Sequence, residues 1–187
     1  MSDHYKGVTL WFTGLSQSGK TTTAQLVAQK LRARGVDRLE TLDGDIVRLG
    51  ISRGLGFSRE DRDENIRRVT LVAQLLTRND VVTIVSAISP YREARDMARA
   101  MIGNFAEIHT KASLETCAAR DTKGLYAKAM AGDLLEFTGV NDPYEAPENP
   151  ELVLDTEHGT ADENADRVLA WMELHGFLAP QLATAEA

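Results

Sequence analysis

Gly14-Leu15-Ser16-Gln17-Ser18-Gly19-Lys20-Thr21 fits the pattern G-x-x-x-x-G-K-[ST], a loop whose backbone N–H groups wrap the β-phosphate of a nucleotide. Each fixed position has a chemical task. The glycines let backbone approach phosphate, Lys20 reaches the β/γ bridge, and the Thr21 hydroxyl can ligate Mg²⁺. Thr22 follows in what should be the first helical turn, where free N–H groups and the positive helix end meet phosphate oxygens. A nucleotide bound with Mg²⁺ is therefore expected.

Binding phosphate is not transferring it. A phosphoryl-transfer enzyme must also align an acceptor hydroxyl with the γ-phosphate and place a group beside that hydroxyl's proton. Asp43-Gly44-Asp45 offers two carboxylates at a predicted strand end, with Gly44 read as permitting a tight turn. Asp45 is the candidate to orient the hydroxyl and Asp43 to hold Mg²⁺ through water. Helix capping by Asp45 is the competing reading, and the two are compatible. Arg48, Arg62, Asn65 and Arg92 could clamp anionic groups of an acceptor, while Phe57 and Phe137 could sandwich a planar base. Spacing alone leaves each of these open as ordinary core or surface.

Those residues need a scaffold. Val8–Thr13 reads as a buried strand, and Ala24, Val27, Ala28 and Leu31 recur at helical spacing, so the phosphate loop joins strand to helix. The same periodicity predicts strands at 39–43, 81–86, 105–109 and 151–155, and helices at 60–79, 91–102, 113–119 and 161–176. Strands alternating with helices define an α/β fold with a parallel, mainly five-stranded sheet, whose ligands sit beyond the carboxyl ends of the strands. Ile66, Val69, Val72, Ala73 and Leu76 supply the buried stripe of the longest helix. The stretch 120–150 carries Gly124, Gly132, Gly139, Pro143, Pro147 and Pro150, which bar a continuous helix and suggest a lid over the site. Residues after Phe177 read as a frayed terminus, giving one domain over 1–178 and a disordered tail over 179–187.

Composition narrows the partners. The 187 residues suit one domain, and a formal charge of −7 argues against non-specific nucleic-acid binding, which needs a basic surface. Arginines at 48, 53, 59, 62, 67, 68, 92, 95 and 99 supply local positive fields instead, although Glu60, Asp61, Asp63 and Glu64 make most of the 59–68 run a mixed, solvated face. No apolar run approaches the roughly 18–20 residues that cross a membrane. The opening Met-Ser-Asp-His-Tyr-Lys has no secretory pattern and Cys117 stands alone, so a cytoplasmic protein is expected, with Cys117 in a packing role.

Beyond the phosphate loop, Leu42-Asp-Gly-Asp-Ile-Val-Arg48, Gly56-Phe-Ser-Arg-Glu-Asp-Arg-Asp-Glu-Asn-Ile-Arg-Arg68, Ile88-Ser-Pro-Tyr-Arg92, Lys123-Gly-Leu-Tyr126 and the run Phe137–Pro150 resemble the signature set of adenylylsulfate kinases. The resemblance covers about residues 7–176, and five motifs in family order are far more specific than one loop. It implies a P-loop kinase fold, a three-layer sandwich with a lid over about 120–150. It also implies transfer of the γ-phosphate of MgATP to the ribose 3′-hydroxyl of adenosine 5′-phosphosulfate, giving 3′-phosphoadenosine 5′-phosphosulfate, the activation step of sulfate assimilation.

The resemblance makes Asp45 and Lys20 catalytic, and places Thr21 and Asp43 at the metal. It puts Arg48, Arg62 and Asn65 on the phosphosulfate, with Phe57 and Phe137 on adenine. Ile88, Lys123 and Leu125 join the acceptor pocket, while Arg120 and the Lys123–Tyr126 segment close over ATP. Ser89 matches a family position assigned as a phosphoserine intermediate, although direct in-line transfer needs no covalent step. The same resemblance implies a homodimer and a pathway association with ATP sulfurylase. The chain departs from the family pattern in two places: at Ile46, where Asn is common, and after Ala87, which leads straight to Ile88 where the family commonly has Phe before Ile-Ser-Pro, so that the loop after the third strand is one residue shorter.

Two other functions compete. A GTP-driven switch would carry Asn-Lys-x-Asp, which the chain lacks, though Asp121-Thr-Lys-Gly124 matches the short D-x-x-G element. A related kinase with a different nucleotide or small-molecule acceptor would keep the same donor site.

Overall fold

In Thr9–Thr13 (β1) alternate side chains point to opposite faces, yet all five residues are buried, as the central strand of a parallel sheet covered on both sides requires. Leu10 and Phe12 pack into one core and Trp11 into another. The computed structural model describes residues 4–181. Along them run α1 (Lys20–Ala33), β2 (Leu39–Asp43), α2 (Gly44–Leu49), α3 (Arg59–Thr77), β3 (Val82–Ser86) and α4 (Arg92–Ile102). The order continues with β4 (Phe105–Lys111), α5 (Leu114–Ala119), α6 (Leu125–Ala131), β5 (Leu152–Asp155) and α7 (Ala161–Leu174).

The sheet is ordered β2-β3-β1-β4-β5, and every neighbouring pair is parallel. Val27 and Leu31 of α1 with Val168 and Met172 of α7 cover one face. Ile66, Val69 and Ala73 of α3 with Ala94 and Ala98 of α4 cover the other. This is the expected α/β sandwich, and it brings the segments after β1, β2 and β3 to the carboxyl edge of the sheet.

Two helices lay outside the periodicity reading. Helix α2 starts directly at Gly44, and its cap is Asp43, whose Oδ1 accepts the Asp45 N–H at 3.0 Å; the capping role considered for Asp45 belongs to its neighbour. Gly44 has no left-handed backbone. A Cβ there would lie 3.2 Å from the Ser86 carbonyl oxygen, so close approach of β3, not turn geometry, favours glycine. Helix α6 lies inside the stretch read as a lid, between Gly124 and Gly132 in left-handed conformation at φ 65° and 85°. These glycines bound a short helix.

The chain end is partly anchored. Leu178 is buried and bridges to Tyr5, and the Ala179 N–H donates to the His4 carbonyl at 2.8 Å. The expectation of a frayed terminus after Phe177 does not hold for Leu178 and Ala179, and residues 182–187 lie outside the described residues. Among the described residues no helix is long and apolar enough to cross a membrane.

Candidate active site

The loop after β1 is shaped by backbone before any ligand is considered. Gly14 sits at φ +146°, and a Cβ there would come within 2.5 Å of the Thr110 carbonyl oxygen. Ser18 hydrogen-bonds Thr110 at 2.9 Å and the Thr156 hydroxyl donates to the Ser18 carbonyl at 2.8 Å, which anchor the loop to the ends of β4 and β5. Gly19, left-handed, caps α1 without a side chain in the way. Leu15, Ser16 and Gln17 lie between the two glycines, with Ser16 and Gln17 lining the cavity beside the loop.

Lys20 is buried, and its ammonium donates to the carbonyls of Gly14 at 3.0 Å and Leu15 at 2.6 Å. Burial lowers its pKa to about 8, against the opposing pull of Cys117, Asp43 and Asp45. Beside it the Thr21 hydroxyl donates to Asp43 Oδ2 at 3.0 Å and lies 3.3 Å from Ser86 Oγ. Three hard oxygen donors at the mouth of the loop suit Mg²⁺. Thr22 is exposed on the first turn of α1. Arg120 donates to the Thr156 carbonyl at 2.6 Å and reaches the loop through Thr156 without lining the cavity beside it.

That cavity, of about 470 Å³, gathers the acceptor candidates. Asp43, Asp45 and Arg48 enter from the end of β2 and from α2, and Phe57, Arg62 and Asn65 from the start of α3. Ile88 and Ser89 come from the loop after β3, and Lys123, Leu125 and Phe137 from the 120–150 stretch. Arg92 does not join them. Its guanidinium pairs with Glu148 and its backbone N–H with Glu145, so it fastens the proline-rich segment instead.

The two arginines that remain differ. Arg62 is buried and donates to the carbonyls of Phe57 and Glu136 and to the Thr138 hydroxyl, bracing the two segments that carry Phe57 and Phe137. Arg48 is only partly buried, lies over the Phe57 ring at 4.4 Å, and donates to the Gly56 carbonyl at 2.8 Å. Desolvation and then the charge of Arg62 lower its pKa; an anion bound nearby would relieve both. Phe57 is exposed, while Phe137 meets Tyr126 edge-on at 4.8 Å. Asn65 is buried with Oδ1 unpartnered, a group a ligand donor could satisfy.

Asp45 is exposed and pairs with Lys123 at 2.9 Å. Ser89, by contrast, is 2% exposed and its hydroxyl is engaged: it accepts from Trp11 Nε1 at 3.0 Å and donates to the Ala87 carbonyl at 3.3 Å. Asp121 of the D-x-x-G element accepts the Tyr126 N–H at 2.7 Å, a helix-start contact and not a phosphate-sensing one. Cys117 is fully buried and burial raises its pKa, as packing requires. Sequence reasoning passed over Thr13, Thr138 and Tyr144. Thr13 donates to the Ile88 carbonyl at 2.7 Å and meets the Tyr144 hydroxyl at 3.1 Å. Nothing in local spacing relates residues so far apart.

A phosphate loop on this sheet, a metal-suited oxygen cluster and an adjoining cavity with the exposed carboxylate of Asp45 on its wall define a P-loop phosphotransferase. The adenylylsulphate kinase family model matches residues 6–155. The adenylyl-sulfate kinase of Halothermothrix orenii is 54% identical over 173 residues, covering 92% of this chain and 93% of the relative. That of a Picosynechococcus species is 53% identical, covering 94% and 99%. Among solved structures, the Mycobacterium tuberculosis APS kinase in complex with AMPPNP and APS superimposes with a TM-score of 0.86 at 44% identity, covering 90% of this chain and 99% of that one. The chain belongs to the adenylylsulphate kinase family, and it is an ATP-dependent phosphotransferase with adenylyl-sulfate kinase activity.

Proposed function

We propose that the protein transfers the γ-phosphate of ATP directly to the ribose 3′-hydroxyl of adenosine 5′-phosphosulfate, with Asp45 beside the reacting hydroxyl. The observation that carries this reading is one cavity that begins at Lys20 and Thr21 and ends between Phe57 and Phe137, with Asp45 on its wall. Donor and acceptor can thus meet in line without either leaving its subsite.

The phosphate loop cradles the β- and γ-phosphates through its N–H groups, and Lys20 leaves its two carbonyl partners for phosphate oxygens. Thr21, and Asp43 through water, would hold Mg²⁺, which would supply charge neutralisation at the phosphates. Asp45 orients the 3′-hydroxyl and takes up its proton as transfer proceeds, releasing Lys123 for the incoming phosphates. Arg48 faces the phosphosulfate, with Arg62 behind it as brace and second positive charge; Phe57 and Phe137 take the adenine.

Ser89 stays out of the covalent chemistry, because its hydroxyl is held by Trp11 and Ala87 and transfer in line needs no relay. A cytoplasmic homodimer associated with ATP sulfurylase belongs to the same reading. The test is product structure: phosphorus NMR and mass spectrometry should place the new phosphate on the 3′ position, and phosphate at any other position would exclude the proposed acceptor geometry.

A further inference from the structure

Arg95 of α4 is 1% exposed, and each arm of its guanidinium is used. Nε donates to Glu107 Oε1 at 2.6 Å, Nη1 to the Ser89 carbonyl at 2.7 Å, and Nη2 to the Glu145 carbonyl at 2.7 Å. Glu107 is buried too and lies 3.5 Å from Arg99, which pairs with Glu151. Arg95, Glu107, Arg99 and Glu151 thus form a quartet of alternating charges in a chain beneath the loop that follows β3.

Stability alone is a poor reason for such a group, since a buried ion pair contributes little net over apolar residues of similar volume. What the fork does contribute is geometry. Ser89 is a non-glycine residue at φ 41°, a left-handed conformation costing about 1–3 kcal/mol that persists only where the surroundings fix it. Its side chain is fixed by Trp11 and Ala87, and its carbonyl by Arg95. The same guanidinium reaches Glu145, whose N–H donates to the Pro90 carbonyl at 2.9 Å. Ile88, Ser89 and Pro90 line the cavity. One side chain therefore sets the distance between the loop after β3 and the proline-rich segment laid across it.

We propose that Arg95 is a positioning residue for the acceptor half of the site: it locks the Ile88-Ser89-Pro90 wall against the 144–145 segment and leaves the ATP half untouched. The proposal rests on the reading of that wall as the acceptor side.

The test compares Arg95→Lys, which keeps the charge and loses the fork, with the double variant Arg95→Met/Glu107→Met, which replaces the ion pair by apolar residues of similar length and leaves no charge unpaired. Wild-type protein that shows acceptor-dependent turnover establishes the underlying reading first; without it the function fails, not this inference. Both variants should bind a fluorescent ATP analogue within about twofold of wild type, while KM for adenosine 5′-phosphosulfate rises and kcat falls by about tenfold each, as expected when a reacting group shifts by a fraction of an ångström to one ångström. Acceptor KM and kcat within about twofold of wild type in a folded variant would overturn the proposal. So would equal losses at both substrates, or failure of both variants to fold, since either assigns the quartet to general stability.

Discussion

The Lys123 ammonium lies 2.9 Å from the Asp45 carboxylate, joining the 120–150 segment to the first turn of α2. Both side chains are exposed. A pair of this kind adds little to stability, so its significance lies in what each partner does when phosphates arrive between them. Lys123→Gln should leave Tm within about 2 °C of wild type, since about 1 kcal/mol moves Tm only a few degrees in a chain of this size. It should raise KM for ATP severalfold, with the difference shrinking as salt is added. Calorimetric melting and kinetics at two ionic strengths measure both, and an unchanged KM at low salt would remove Lys123 from the donor site.

Asp45→Asn keeps shape and hydrogen-bonding capacity but cannot accept the hydroxyl proton. ATP affinity, measured by equilibrium titration, should stay close to wild type while kcat falls by about 10²–10⁴, the range typical of a positioned acid or base. Weakened ATP binding with normal turnover at saturation would assign Asp45 to the donor.

Ser89→Ala removes a hydroxyl already engaged with Trp11 and Ala87. Losing the partner of a buried indole N–H costs roughly 1–3 kcal/mol of stability, so Tm should drop while most of the rate survives. No phosphoserine should accumulate when the protein meets ATP alone. A folded variant without activity, or a phosphopeptide containing Ser89, would establish the covalent route.

The lowered pKa of Lys20, about 8, gives ATP binding a defined pH dependence. Bound phosphates restore the charged form, so near pH 8 binding should take up protons, and affinity should decline as pH rises through and above 8. The sign for stability is opposite to that of a lysine gaining a partner. The unfolded chain, with lysine near 10.5, binds more protons between about 8 and 10.5, so this group's contribution to stability rises with pH across that window. Calorimetry in buffers of different ionisation enthalpy reads the uptake directly, and no buffer dependence at pH 8 would show that Lys20 is charged throughout.

The predictable part of the molecule is its local part. The phosphate loop, the strands and the stripe of α1 follow from spacing, because burial there repeats with the period of the element. Helix α2 escaped because six residues give too few turns for a stripe, and α6 because its bounding glycines look like loop punctuation. Arg62 shows the remaining limit. It sits in a run of alternating charges that reads as solvated, yet is buried by contacts to Glu136 and Thr138, and only the fold brings those segments together. Arg92 errs the other way, since an arginine near a cavity loop looks like an anion clamp until Glu148 is placed beside it.

In the proposed mechanism donor and acceptor react with each other inside one cavity. Its most direct test follows ADP release from MgATP with and without adenosine 5′-phosphosulfate, at equal protein concentration. Release should depend on the acceptor, saturate with it, and match the phosphorylated product mole for mole. Equal ADP release in the acceptor's absence would contradict it.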